Sequence, residues 1–371
     1  MVELRLAELT AALSLAGDLG MGQPQETTTR SCLLATALAR EMGIPDPDLP
    51  GVFYTALLQH VGCTAYAYET AGLFGGNDIA LRAAGARIDA ENHRETLKFL
   101  TRDVGKGDSP VSRAHSVFSA IRSGHGFDHE LARSNCEAAT HIARRLGLGE
   151  IVDRSLNEIY ERWDGKGQPL QLMRDDIALP ARFAQVASQA ALFATLGGPD
   201  VACEMLRQRS GTMLDPVIAN AAIEHFDDLL ATTITVDSIA AVVEAEPGPL
   251  RHVSGHDLER VASAFAEMVD LQSPYFHGHA LAVSILATAA ATDLGLPEAE
   301  VDRIRIAGGV QWLDLIGGYG ESSRSVRIRR HIETGWIQPC REALVTTGSQ
   351  IIERNGAGAG KRTVGAQKRR P

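Results

Sequence analysis

The chain is predicted to fold as an all-α protein, and three observations carry that prediction. Apolar residues recur at helical spacing along most of its 371 residues. Ala, Leu and Arg, all good helix formers, are abundant, while aromatic residues make up only 5%. No stretch alternates apolar and polar residues over the length of a strand. At 44% hydrophobic, the chain is long enough for two or three domains with cores of their own.

The elements follow in order. Glu3–Leu19 carries Leu6, Leu9 and Leu13 on one stripe, and Gly20 and Gly22 break it. Glu26–Met42 places Leu34, Ala37 and Leu38 on one face. It ends at Gly43-Ile44-Pro45, where Gly caps and Pro stops the helix. Asp48–Val61 and Arg94–Leu100 are the next helices. Val111–Ile121 and Asp128–Leu146 are expected as two, with a loop suggested by Gly124 and Gly126. Glu150–Arg162, Pro180–Phe193, Pro216–Leu230 and His256–Val269 complete the run. His256-Asp257 follows Ser254-Gly255 and reads as a helix start, not as a ligand pair.

A repeat is superimposed on this order. Gln23–Val61 and Pro274–Leu313 share a polar start, a long Ala-rich helix, a Gly-x-Pro stop and a further helix with an acidic start. Gly43-Ile44-Pro45 pairs with Gly295-Leu296-Pro297 at an offset of 252. The same offset sets Thr27 opposite His279, and Gln59-His60 opposite Gln311-Trp312. Two related helical domains are inferred, the second cut short. The expected division is 1–232, 250–320 and a basic, largely disordered tail over 321–371.

Charge and cysteine usage narrow the classes of function. The net charge is −10, and of 36 basic and 46 acidic residues, 11 and 4 fall within 321–371. The body is therefore acidic, which argues against nucleic-acid partners except through the basic end. No apolar run reaches the roughly 18–20 residues of a membrane span. The charged, amphipathic N-terminus does not read as a signal peptide. Five cysteines without CxxC spacing read as reduced thiols of a cytoplasmic protein.

The most informative segment is Ile159-Tyr160-Glu161-Arg162-Trp163-Asp164-Gly165-Lys166-Gly167-Gln168-Pro169. Glu161–Gly165 with Gly167 and Pro169 resembles the signature loop of the HD-GYP branch of the HD-domain phosphohydrolases. Leu179-Pro180-Ala181-Arg182 and Leu214-Asp215-Pro216 follow in the order seen in that family. The resemblance covers about Arg5–Leu230, and Leu258–Ala307 begins a second copy. It is nearest to tandem HD-type proteins of actinobacteria, which often end in a helix-turn-helix. It implies an HD-domain helical bundle and hydrolysis of phosphodiesters such as cyclic dinucleotides at a centre of Fe, Mn or Mg. Such a metal would lower the pKa of bound water to about 7.

Carried over residue by residue, the implied ligand positions are poor in donors. The first-helix histidine falls near Thr27, and the His-Asp pair falls on Gln59-His60. The following lysine falls near Cys63, the middle-helix histidine near Asn135, and the late aspartate near Ser188. The loop's paired histidines fall on Ile159-Tyr160, and its tyrosine on Gln168. Only His60, and His279 in the second copy, are weak candidates to hold metal. No cofactor is therefore expected. A pocket is expected, if the fold keeps one, among His60, Asn135, Tyr160 and Asp164.

The leading expectation is an HD-GYP-related protein of signal transduction that has lost hydrolysis and binds a small nucleotide or a regulatory protein. Two alternatives stand beside it: an active metal-dependent phosphohydrolase of the cyclic-dinucleotide phosphodiesterase class, and a truncated transcription regulator without its helix-turn-helix. A homodimer is among the expected states.

Overall fold

The computed structural model describes residues 4–74, 78–234, 236–253, 256–271 and 278–310. The pair Gln311-Trp312 and the expected tail 321–371 lie outside the described residues. Among the described residues sixteen α-helices follow one another: α1 (Leu6–Gly20), α2 (Thr27–Glu41), α3 (Leu49–Leu58), α4 (Ala67–Phe74), α5 (Asp78–Gly85), α6 (His93–Arg102), α7 (Pro110–Arg145) and α8 (Glu150–Asn157). The series continues with α9 (Leu179–Gly197), α10 (Pro199–Arg209), α11 (Pro216–Glu224), α12 (Phe226–Ala231), α13 (Ser238–Ala245), α14 (His256–Asp270), α15 (His279–Asp293) and α16 (Glu298–Val310). The all-α expectation holds. One exception among the described residues is an antiparallel pair of two-residue strands, β1 (Leu4–Arg5) and β2 (His252–Val253). No helix among the described residues is long and apolar enough to cross a membrane.

The core is centred on α2, α3 and α9, which pack against one another. Phe53, Leu57 and Phe183 are fully buried there. Phe53 and Tyr54 meet edge to face, with ring centroids 5.0 Å apart. Tyr54 donates its hydroxyl to buried Glu246 at 2.6 Å. The Arg5 guanidinium binds the same carboxylate, with Nε at 2.7 Å, and reaches Val243 O at 2.9 Å. This knot ties the start of the chain and α3 to the end of α13, across the boundary expected between 232 and 250.

Most helix starts follow ordinary capping chemistry. Asn92, Ser109, Asp215 and Asp237 each accept backbone N–H groups of the turn they begin. The start of α2 differs. Glu26 sits in the left-handed region (φ 66°) and its side chain caps nothing. The carboxylate of fully buried Asp18, at the end of α1, does that work by accepting Thr28 N at 3.1 Å and the Thr28 hydroxyl. The first turn of α2 is thus fixed to α1 rather than to its own loop.

Three expectations needed correction. Val111–Ile121 and Asp128–Leu146 are parts of one 36-residue helix, α7, with no loop at Gly124 and Gly126. Two glycines weaken a helix by about 1 kcal/mol each. Packing of α7 against α4, α8 and α14 offsets that loss. The helix expected over Glu150–Arg162 stops at Asn157, because Glu158 turns away to accept Ala178 N at 2.5 Å. The helix expected over Pro216–Leu230 is broken at His225 into α11 and α12.

The offset of 252 reappears as geometry. Gly278 (φ 73°) stands where Glu26 stands, and Gly295 (φ 68°) where Gly43 (φ 75°) stands. Asp270 accepts Ala280 N at 3.3 Å, as Asp18 accepts Thr28 N. Cys32 Sγ donates to Phe53 O, and Ser284 Oγ to Arg305 O at 2.7 Å. Thr36 and Thr288 donate back to Cys32 O and Ser284 O. The set α14–α15–α16 therefore reproduces the arrangement of α1–α2–α3.

Replacing Asp18 with Ala strands the buried Thr28 N–H and leaves the Thr28 hydroxyl with His60 as its partner. Stability should fall by about 2–4 kcal/mol, read from the urea midpoint. Thr28→Val, which removes only the hydroxyl, should cost less.

Candidate functional site

The ligand positions implied by the family loop can be followed from α2 outward. Thr27, the first residue of α2, is buried and donates to Pro24 O at 2.6 Å. Gln59 follows α3, and its amide donates to Ser31 Oγ and Ala56 O, both at 2.9 Å. His60 turns its Nδ1 to the Thr28 hydroxyl at 3.0 Å and lies 3.8 Å from Asp18 Oδ1. Asp18, Thr28 and His60 thus form one linked group at the junction of α1, α2 and the turn after α3.

A second group lies beside it. Tyr160 OH stands 2.9 Å from Cys63 Sγ and accepts the Asn135 amide at 3.4 Å. Asn135 Oδ1 is buried and has no hydrogen-bond partner among the described residues. Burial pushes the Cys63 thiol up to about 11, although its bond to Tyr160 pulls the other way. Burial, with Cys63 beside it, raises the Tyr160 phenol well above its ordinary value. Cys63, Asn135 and Tyr160 therefore form a neutral cluster at physiological pH. The backbones close tightly here. A Cβ on Gly62 would collide with Asn135 O and sit 2.7 Å from Ala139 N.

The loop after Tyr160 is held by its own polar groups. Glu161 accepts Leu170 N at 2.6 Å and Leu172 N at 2.8 Å, and Gln185 donates to Glu161 O at 2.7 Å. Arg162 grips Asp164 at 3.0 Å and Asp89 at 2.6 Å. Asp164 gains a further bond from Lys166 N at 3.1 Å. Burial works against the Asp164 charge, but the Arg162 contacts and that N–H hold its carboxyl below the usual range. Gly165 adopts φ 79°, a region that favours glycine. Gly167 presses so close to the Glu161–Arg162 backbone that a Cβ would lie 2.6 Å from Glu161 C.

The other two motifs meet the loop in space. Arg182 lies over the Trp163 ring at 5.8 Å and pairs with Asp215 at 2.9 Å. Asp215 in turn caps α11 through Val217 N at 2.8 Å. Segments spread over more than fifty residues of sequence thus converge on one structural unit.

Asn135 and Tyr160 are brought together, with Cys63 as their third member. His60 faces Thr28 and Asp18 instead, and Asp164 faces Arg162 and the loop backbone. His279 opens α15 in the second repeat. Ser188 lies partly buried on α9. Cys63, carried over only as a stand-in for the family's lysine, joins Tyr160, and Asp18 is the contributor that residue types alone do not reveal. The signal that could have found Asp18 is a carboxylate at the end of an apolar helix, placed as Asp270 is placed 252 residues later.

The donor set does not fit a divalent metal. Ligation would need several carboxylates, neutral imidazoles or thiolates converging on one point. Here the His60 imidazole and the Asp18 carboxylate are both engaged by Thr28, and the groups beside them are a thiol, a phenol and an amide. No group of three or more His, Cys, Asp or Glu with metal-holding geometry occurs among the described residues.

No protein-family model matches the chain. Over 298 residues it is 25% identical to the 3′3′-cGAMP-specific phosphodiesterase 3 of Vibrio cholerae. That match covers 80% of this chain and 65% of the relative's length. The crystal structure of the cyclic GMP-AMP-specific phosphodiesterase V-cGAP3 of V. cholerae superposes with a TM-score of 0.66 at 23% identity. That match covers 92% of this chain and 80% of that one, and it shows that the fold is shared. These likenesses bear out the resemblance to the HD-GYP-like phosphohydrolases.

Raised thiol and phenol pKa values make the fold sensitive to alkali. A group that titrates near 9 when unfolded and near 11 when folded stabilises the protein fully below pH 9 and loses that effect as pH rises through 11. From Cys63 alone, stability should fall by about 2–3 kcal/mol across that window. Urea midpoints at pH 8 and pH 11 measure it, and Cys63→Ala should show a smaller drop. Gly62→Ala should cost about 1–3 kcal/mol at neutral pH by forcing α7 away from the turn after α3.

Proposed function

We propose that this HD-GYP-like chain is a phosphohydrolase of the cyclic-dinucleotide phosphodiesterase class. The observation that supports it is the likeness, across 80% of the chain, to a relative named for its action on 3′3′-cGAMP. Hydrolysis in this class adds water across a phosphodiester and opens the ring to a linear dinucleotide. A divalent metal, when bound, would supply the activated water. Because the residues at the implied ligand positions do not form a donor set, no step of hydrolysis is assigned to His60, Asn135, Tyr160 or Asp164.

That same observation favours a second reading, in which the site binds a cyclic dinucleotide or a regulatory protein and leaves it intact. His60, Tyr160 and the Asn135 amide could then donate to or accept from a base or ribose. The neighbouring cation Arg162 is already committed to Asp89 and Asp164. The division into 1–232, 250–320 and 321–371 belongs to either reading.

One experiment separates them. The full chain, purified without chelator, is analysed for metal by elemental mass spectrometry. It is then incubated with 3′3′-cGAMP and added Fe²⁺ or Mn²⁺. Linear product that scales with bound metal upholds the phosphodiesterase. Retention of intact nucleotide in equilibrium dialysis, without turnover, upholds the binding reading and overturns the enzymatic one. Neither turnover nor retention overturns both.

A further inference from the structure

The two repeats differ in what covers them. In the first, α2 is enclosed by α1, α3, α9 and α13. Thr29, Leu33, Leu34 and Leu38 are each 5% exposed or less. Their counterparts at the offset of 252 are Leu281, Ile285, Leu286 and Ala290 on α15. Leu281 is 52% exposed, Ile285 59% and Leu286 69%, and Ala290 is also exposed. Helix α15 packs on α14 and α16, as α2 packs on α1 and α3, but no described helix takes the place that α9 takes over α2.

We propose that this bare face of α15 is a homodimer interface, in which α15 of one copy lies antiparallel on α15 of a second. Charge selects this occupant. From His279 to Thr292 the helix carries no Lys, Arg, Asp or Glu, so two copies can close on each other without burying an unpaired ion. In an antiparallel pair centred on Leu286, Asp293 of each copy lies at the N-terminal end of the other's α15, where the helix dipole favours its charge. Ala282, Ala289 and Ala290 flank Leu286 and Ile285, so the backbones can approach while the larger side chains interlock. A two-fold axis through Leu286 makes the contact isologous and closed.

A later segment of the same chain is a poorer fit. The helix that covers the first repeat, α9, is uncharged from Phe183 to Gly197. The longest uncharged run between 311 and 371 is only Ala343–Ile352.

Sedimentation of the full chain over a wide concentration range tests the proposal. The expected result is a dimer that Leu286→Glu converts to monomer and Asp293→Lys weakens. Leu97→Glu, on the exposed face of α6, should leave it unchanged. Circular dichroism confirms that each variant keeps its helical content. As an independent readout, Leu286→Cys should form a homodisulfide under mild oxidation, at a rate well above that of the unmodified chain. A wild-type chain that stays monomeric at the highest concentration overturns the interface, as does a dimer that survives Leu286→Glu. A monomer that loses thermal stability with Leu286→Glu would show instead that another part of the chain covers this face, and would equally overturn the proposal.

Discussion

A buried carboxylate decides how the first repeat is put together. Asp18 lies at the end of α1, out of reach of water, and can persist there only because Thr28 offers it both an N–H and a hydroxyl. Meeting that demand fixes where α2 begins. It also fixes His60, which shares the Thr28 hydroxyl, and through His60 the turn that leads to Gly62 and Cys63. Hydrogen bonding thus ties the end of α1, the start of α2 and the turn after α3 into one unit. The same carboxylate at Asp270 sets α15 against α14.

Neutral and ionic groups lie side by side around this point. The cluster of Cys63, Tyr160 and Asn135 is neutral, and it leaves Asn135 Oδ1 without a partner among the described residues. The ionic pairs are Arg162 with Asp89 and Asp164, and Arg182 with buried Asp215. A buried pair holds its place only when each charge is met by its partner. These pairs give the Glu161–Pro169 loop its shape and bind it to α9 and α11.

Much of this was legible in the residues. The helical period, the Gly-Ile-Pro stop and the repeat offset are local properties, and each is met in the structure by a cap or a positive φ. The order of the loop, Pro-x-Arg and Leu-Asp-Pro motifs was legible too, but the Arg182–Asp215 pair that joins them is known only from the structure. What was not legible depends on tertiary packing. Gly124 and Gly126 read as a break because nothing local outweighs their entropy, whereas α4, α8 and α14 do. Asp18 takes its role only from Thr28, ten residues later, which the fold brings against it. Nothing in the sequence around Arg209, at the end of α10, marks it as an interior residue. It is buried, bonded to Gln189 and to Arg87 O at 2.7 Å, with its guanidinium 5.0 Å from the Phe193 ring. The pairing of Cys63 with Tyr160 joins residues 97 apart, with no periodicity to announce it.

The unbroken length of α7 has a mechanical consequence. A helix of 36 residues is a beam about 54 Å long. Past its middle, at Asn135, it bears on the turn at Gly62. Ten residues further on, Arg145 is clasped by Glu267 of α14 at 2.7 Å. Those two points lie about 15 Å apart along the axis. A tilt of about 4° pivoted at Asn135 moves the α14 end by about 1 Å, the width of a hydrogen bond's tolerance. The neutral cluster and the second repeat therefore both rest on one unbroken element, α7.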